Sequence, residues 1–277
     1  MKKIKSNYKI QNIIHLGANK TATTSFQEHL FTKISTIGYL GNKQIQNKMI
    51  EKELRNLRMQ DDYYYNSINI KKKIKQIKKK RINIFLYSDE DILTSNNLTR
   101  CSLRLKHLLP DAKIVLTIRN QVSALESWYA SHGKFLKMVP KKYYGKHVSF
   151  NDWLEYCFKF REDFVTPLQS SPFRAMDYKQ IIEIFSENFG LKNIKLLLYE
   201  DLTCNRDKLF KEWAKLLNID KEIIKKKLSK SFLRKSKKKK KLISNKNLKN
   251  IVKYFSKGNY EINKNFKLNL KKYNYPL

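Results

Sequence analysis

A chain of 277 residues with 41% hydrophobic content can bury a sizeable core, and its 7 glycines and 5 prolines exclude a collagen-like or broadly disordered chain. The formal net charge of +35 favours polyanionic partners (nucleic acid, acidic polysaccharide, anionic lipid or a phosphorylated small molecule) and says nothing about fold. Three widely spaced cysteines, Cys101, Cys157 and Cys204, exclude a disulfide framework and a CxxC zinc knuckle.

The first expected strand covers residues 12–16 and runs straight into Gly17-Ala18-Asn19-Lys20-Thr21-Ala22-Thr23-Thr24-Ser25. Phe26, Leu30 and Phe31 then mark the apolar face of a helix. Further strands are expected over 82–87, 113–118 and 193–199. They are followed by Ser88-Asp89-Glu90-Asp91, by Arg119-Asn120-Gln121 and by Glu200-Asp201. Val122, Leu125, Trp128 and Tyr129 recur at helical spacing, and core packing is the expectation for Trp128 and Tyr129. From Ser149 onward the chain reads as mostly helical, with segments over 150–160, 178–189, 208–217 and 248–255.

Short apolar strands alternating with helices imply an α/β fold. Its core is a parallel sheet of about four or five strands, flanked by helices and followed by a helical C-terminal part. In such sheets ligands sit beyond the carboxyl ends of the strands, where all four polar clusters fall. One domain over 1–277 is expected. Two basic runs stand out: Lys71 to Arg81, with eight basic residues in eleven, and Lys225 to Lys241, with eleven in seventeen. The first reads as a solvated helix face and the second as a basic loop at about 225–245; both are also candidate landing strips for an acidic acceptor. No stretch of about 18 apolar residues occurs, and no apolar segment follows the basic N-terminus. A cytoplasmic protein able to touch a membrane surface is therefore expected, with its cysteines as reduced, buried thiols.

A strand, a glycine, a lysine and then hydroxyl residues opening a helix make a phosphate cradle. Amide N–H groups and the helix dipole favour an anion there, and Lys20 adds a mobile charge. Laid on Gly17, the triphosphate-binding pattern GxxxxGK[ST] places Ala22 at its second glycine and Thr23 at its lysine, so Lys20 comes three residues early. No carboxylate has a compelling spacing for magnesium, which counts against a kinase or ATPase. A non-enzymatic nucleic-acid-binding protein is the other alternative, supported only by the charge. His15 lies inside an apolar strand and reads as a core histidine; His29, His107 and His147 show no metal-ligand spacing, and no metal site is expected.

Lys20-Thr21-Ala22-Thr23-Thr24 resembles the 5′-phosphosulfate loop, Lys-x-Gly-Thr-Thr, of the sulfotransferases that use 3′-phosphoadenosine 5′-phosphosulfate (PAPS). The family's second signature is a strand ending in arginine with a serine eight residues later; it is matched by Arg119 and Ser127. Ser127-Trp128-Tyr129, the strand end Leu198-Tyr199-Glu200-Asp201-Leu202 and the stretch from Asn259-Tyr260-Glu261 to Tyr273-Asn274-Tyr275-Pro276 look similar to bacterial members. The resemblance implies sulfuryl transfer from PAPS to an acceptor hydroxyl or amine. It assigns Lys20 to the leaving 5′-phosphate, with Thr21, Ala22, Thr23, Thr24 and Ser25 around it, and Arg119 and Ser127 to the 3′-phosphate. Glu90 is the expected general base, its alternative being a carboxylate at a helix N-terminus. Asp89, Asp91 and His132 are lesser candidates. An acidic glycan or lipopolysaccharide is the expected acceptor, on the strength of the basic runs. Where Ala22 stands, the family usually has glycine, so a positive φ there would carry a cost.

Overall fold

The computed structural model describes residues 10–41, 48–95, 97–133, 148–162, 172–229 and 243–277. In chain order the main elements are β1 (Gln11–Gly17), α1 (Thr23–His29), β2 (Ile37–Gly41), α2 (Lys48–Met59), α3 (Ile68–Lys78) and β3 (Ile84–Ser88). A 3-10 turn (Glu90–Thr94), α4 (Leu98–Leu108), β4 (Lys113–Ile118), α5 (Gln121–Trp128) and α6 (Phe150–Lys159) follow. The chain continues through α7 (Tyr178–Phe189), β5 (Ile194–Leu198), α8 (Asp201–Cys204), α9 (Arg206–Leu217), α10 (Lys221–Leu228) and α11 (Asn245–Asn265).

The five strands form one sheet in the order β2-β3-β1-β4-β5, every pair parallel. Strand alternation divides the core in two. Ile14, Leu16, Phe85, Ile114, Leu116 and Leu196 point to the face covered by α2 to α7 and α11. Ile13, Ile37, Tyr39, Leu86, Val115 and Leu197 point to the other, covered by α1, α9 and α10 through Phe26, Leu209, Trp213 and Ile224. Helix starts are set by short polar side chains: Asn97, Asn120, Ser149, Asp177, Asn205 and Ser244 each accept a hydrogen bond from an amide N–H of the turn they open.

The four expected strands are present. The fifth, β2, is not signalled by the sequence: Gly38 and Gly41 interrupt its apolar run, and glycine weakens a strand signal. A Cβ on Gly38 would lie 2.5 Å from both Ile77 Cγ2 and Ile82 Cδ1, so the glycine lets α3 lie close on the edge strand. The terminal helix is longer than expected, 21 residues instead of 248–255. The run Lys71 to Arg81 lies on and just beyond α3, whose Ile70, Ile74 and Ile77 are buried, while Lys72, Lys75, Lys79, Lys80 and Arg81 face solvent. Of the expected basic loop, α10 takes the start, and 230–242 lie outside the described residues. Cys101 and Cys157 are buried free thiols as expected, whereas Cys204 is exposed at the end of α8. No helix among the described residues is long and apolar enough to cross a membrane.

Candidate active site

The connection after β1 runs towards β2, and the connection after β4 runs towards β5. A crevice therefore opens between the carboxyl ends of β1 and β4, where ligands of open α/β sheets bind. The loop from Ala18 to Ala22 and the strand end at Arg119 flank this crevice. The loop is anchored by Ala18 N–H to the Thr117 carbonyl (2.9 Å) and by Thr21, whose amide and hydroxyl both donate to the Ala18 carbonyl (3.2 and 2.6 Å). Lys20 and Ala22 both have left-handed backbones, with φ 71° and 63°. The consequence is that the amide N–H groups of Lys20, Ala22, Thr23 and Thr24 have no acceptor among the described residues. A Cβ on Gly17 would sit 1.9 Å from Thr23 Cγ2, so only glycine lets α1 start this close to the strand end. Thr23 is buried, Ser25 half-buried and Thr24 exposed.

Arg119 is half-buried and spread over this loop. Its Nη1 donates to the Lys20 carbonyl (2.8 Å), its Nε donates to Ser123 Oγ (3.1 Å), and its guanidinium carbon lies 4.4 Å from the centre of the Tyr199 ring. Neither Arg119 nor Lys20 forms an ion pair with a described carboxylate. Burial and then the charge of Arg119 hold the Lys20 ammonium below its ordinary pKa. Two neighbouring cations with no ion-pair partner among the described residues, beside amides with no acceptor there, are an arrangement suited to an anion.

The backbone at Arg119 is clamped from below. Tyr178 Oη donates to the Arg119 carbonyl (2.6 Å) and accepts from its amide (3.2 Å). Asn120 N–H donates to Glu200 Oε1 (2.8 Å), and its side-chain amide donates to the carbonyls of Tyr273 and Asn274 (3.2 and 2.5 Å). Tyr275 Oη donates to Glu200 Oε2 (2.9 Å), and Tyr273 Oη to Asp201 Oδ1 (2.6 Å). Asn259 ties α11 to this closure by donating to the Pro276 carbonyl (2.7 Å) while pairing with Gln121. The chain's last residues thus seal the base of the Arg119 site, which accounts for the polar residues of the terminal stretch.

Ser127, four residues beyond Ser123 on α5, is half-buried, and its hydroxyl makes no hydrogen bond to a described residue. The serine that touches Arg119 is Ser123, which the spacing pattern does not single out; the signal available is that Ser123 and Ser127 share a helix face. Trp128 is fully buried, and Tyr129 packs on Phe150 and Trp153, so both are core side chains.

Glu90 opens the 3-10 turn after β3. Its Oε2 accepts from Gln27 Nε2 of α1 at 2.8 Å, and burial raises its carboxyl above the usual range. Asp89 is fully buried and committed to Arg58 of α2 (2.5 Å), with Tyr87 Oη and the Asp91 amide also donating to it. Asp91 lies 3.6 Å from the same arginine. These two carboxylates are structural ion-pair partners, which separates them from Glu90. The side chain of His132 lies outside the described residues. His15 is buried, as expected: its Nδ1 and Nε2 lie 2.9 Å from Ser88 Oγ and 3.2 Å from Thr117 Oγ1, and burial pushes its pKa down to about 3, so the ring is neutral. Tyr63 and Tyr64 are exposed, while Tyr65 packs under the Arg104 guanidinium at 3.8 Å.

Comparison with known proteins bears on the fold and the family. No curated protein matches the chain. The structure is similar to a sulfotransferase from Alicyclobacillus acidocaldarius, with 13% identity, a TM-score of 0.61 and 96% of this chain and 99% of that one covered; this likeness shows the fold. A sulfotransferase domain from the curacin biosynthetic pathway also matches, at 12% identity and a TM-score of 0.40, over 76% of this chain and 75% of that one. A family profile described as "Sulfotransferase domain" matches residues 12–189, from the strand before the phosphate loop to the end of α7, so this chain belongs to the sulfotransferase family and is a sulfotransferase enzyme.

Proposed function

We propose that the sulfuryl donor is PAPS and that the acceptor is a hydroxyl or amine, carried by an anionic glycan or similar acidic surface polymer. The observation that carries the donor reading is the pair of cations without an ion-pair partner among the described residues, Lys20 and Arg119, joined through the Lys20 carbonyl beside four amides with no acceptor there. A bisphosphorylated nucleotide matches that pattern, because it brings two anionic groups to two cationic positions. PAPS supplies an activated sulfuryl group on its 5′-phosphate. Lys20 and the amides of Ala22, Thr23 and Thr24 would hold that phosphate as charge gathers on it, with the hydroxyls of Thr24 and Ser25 as further donors. Thr21 shapes the loop through Ala18 instead. Arg119 would take the 3′-phosphate with its remaining N–H groups, aided by Ser127, whose hydroxyl is uncommitted. Glu90 would accept the proton of the attacking group, and its raised pKa suits a base that must hold that proton.

The acidic acceptor is supported by the net charge and by the exposed lysines of α3. A reducing, cytoplasmic setting is supported by three free cysteines. The deciding experiment is calorimetric titration with 3′,5′-ADP in about 0.3 M salt, which screens nonspecific attraction. Binding that exceeds that of 5′-AMP and of ATP with magnesium, and that is lost in Arg119→Ala, is the expected result. Preference for ATP with magnesium would replace this reading with a kinase, and equal weak binding of all three would reduce the site to bulk charge. Glu90→Gln is expected to bind 3′,5′-ADP normally and to transfer sulfate to an acidic glycan panel at least a hundredfold more slowly.

A further inference from the structure

A line of buried polar groups crosses three strands and one helix behind the crevice. It begins at Thr117 of β4, passes through His15 of β1 and Ser88 of β3, and reaches Gln27 of α1 and then Glu90. Polar groups are seldom strung through a sheet core without a purpose, since each one must find a partner there. Gln27 is fully buried, and its Nε2 spends one N–H on Ser88 Oγ (3.1 Å) and the other on Glu90 Oε2 (2.8 Å). Its Oε1 is buried with no hydrogen-bond partner among the described residues.

The sense of each hydrogen bond can be followed along the line. Ser88 accepts from Gln27, and its own hydrogen can turn towards His15 Nδ1. The neutral ring then carries its hydrogen on Nε2 and donates to Thr117. In that arrangement the bonds run outward from the Gln27 amide, whose two N–H hydrogens serve Ser88 on one side and the Glu90 carboxylate on the other. Once Glu90 is protonated, it needs an acceptor. If the Gln27 amide turns over, Oε1 faces both Glu90 and Ser88, and the hydrogens of Ser88, His15 and Thr117 can all reverse. The line therefore fits both protonation states of one carboxyl, and the orphaned Oε1 is the acceptor held for the second. The other charged groups near Glu90 are Asp89 and Asp91 of its own turn, both tied to Arg58 of α2. His15 is the titratable group contributed by β1.

We propose that Gln27 is a positioning residue for sulfuryl transfer, its side-chain amide fixing the Glu90 carboxyl to the helix that opens from the phosphate loop and matching that carboxyl before and after it takes up the acceptor's proton. This inference rests on Glu90 being the base. Gln27 lies one helical turn from Thr23, so α1 joins the donor loop to the base as one rigid piece. With its carboxyl held by Gln27, Glu90 takes the acceptor's proton as the acceptor heteroatom bonds to sulfur, and the bond from sulfur to the 5′-phosphate oxygen breaks, leaving 3′,5′-ADP.

The test uses full-length protein labelled with carbon-13 at the glutamate carboxyls and saturated with 3′,5′-ADP, the Glu90 resonance being assigned as the one missing in Glu90→Gln. Gln27→Leu removes the donor to the carboxylate and is expected to raise the Glu90 midpoint by about one pH unit. Gln27→Glu adds a neighbouring negative charge and is expected to raise it further, and it serves should the leucine variant fail to fold. In wild type the Gln27 side-chain amide resonance is expected to titrate with the Glu90 midpoint. A Glu90 midpoint unmoved in both variants overturns the inference while leaving the base reading intact. A Glu90→Gln enzyme that still transfers sulfate overturns the base reading, and this inference with it.

Discussion

Lys20, proposed to hold the donor's 5′-phosphate, works against the stability of the free protein. Its ammonium is partly desolvated and faces Arg119 with no carboxylate between them, so folding lowers its pKa. For a lysine this means that the unfolded chain holds the proton more tightly. The cost to stability is in full force at neutral pH, and it is relieved only as pH rises through the lowered folded value towards the ordinary one near 10.5. Lys20→Met should therefore leave the thermal midpoint of the ligand-free protein unchanged or higher. The same variant should lose the upward shift that 3′,5′-ADP gives wild type, a shift that follows from binding to the folded state alone. Scanning calorimetry of both proteins, with and without 3′,5′-ADP, checks both halves; a variant that melts well below wild type without ligand would mean that Lys20 holds the loop together. That Lys20 and Arg119 come together was legible from the sequence, because a loop after one strand and an arginine ending another both fall at the carboxyl edge of a parallel sheet. Ser123, Gln27 and Tyr199 were not, because each acts through a contact between distant elements, and neither a serine on a helix nor a tyrosine ending a strand announces its neighbour.

Among the elements, the phosphate loop carries visible strain. Ala22 sits at φ 63° and ψ 21°, the left-handed region that costs a residue with a Cβ about 1–2 kcal/mol, and Lys20 sits at φ 71°. The alanine in place of the family's usual glycine therefore does stand where glycine would be favoured. The backbone keeps the left-handed turn despite the Cβ, with the cost borne by the rest of the fold. Ala22→Gly would relieve that strain while loosening the unfolded chain, an opposing effect of about 0.4–1 kcal/mol. The expected net gain is about 0.5–1 kcal/mol, read as a higher urea midpoint with an unchanged slope. A lowered midpoint would mean that the left-handed turn is held by packing of the Ala22 methyl against the cluster of α1 and α9, to which it contributes. Strand elements were legible wherever an apolar run was unbroken. The edge strand β2 escaped because its two glycines serve tight packing of neighbours, a requirement set by α3 and β3 and invisible in β2 itself.

At the scale of the whole molecule, the charge of +35 has to be divided between helix solvation and function. On α3 the division is clear: Ile70, Ile74 and Ile77 hold the helix to the core, and Lys72, Lys75, Lys79 and Lys80 stand in solvent. Exposed lysines of this kind contribute little to stability, so replacing these four by glutamine should change unfolding free energy by less than about 1 kcal/mol. The proposed donor site lies on the other side of β3 from β2, against which α3 packs, so binding of 3′,5′-ADP in 0.3 M salt should be unchanged. If the acceptor is an acidic polymer that lands on this face, affinity for a polyanion such as dextran sulfate should fall tenfold or more at low salt. The slope of log affinity against log salt should shrink as well, because fewer counterions are released from the polymer. Equal affinity and equal slope in the variant would assign these lysines to solvation, and the acceptor's landing surface would have to be sought elsewhere on the protein. A variant that loses polymer affinity but transfers sulfate to a small neutral acceptor at the wild-type rate would divide the molecule physically: a donor and base unit built on β1, α1, β3 and β4, and a separate basic face that selects what is brought to it.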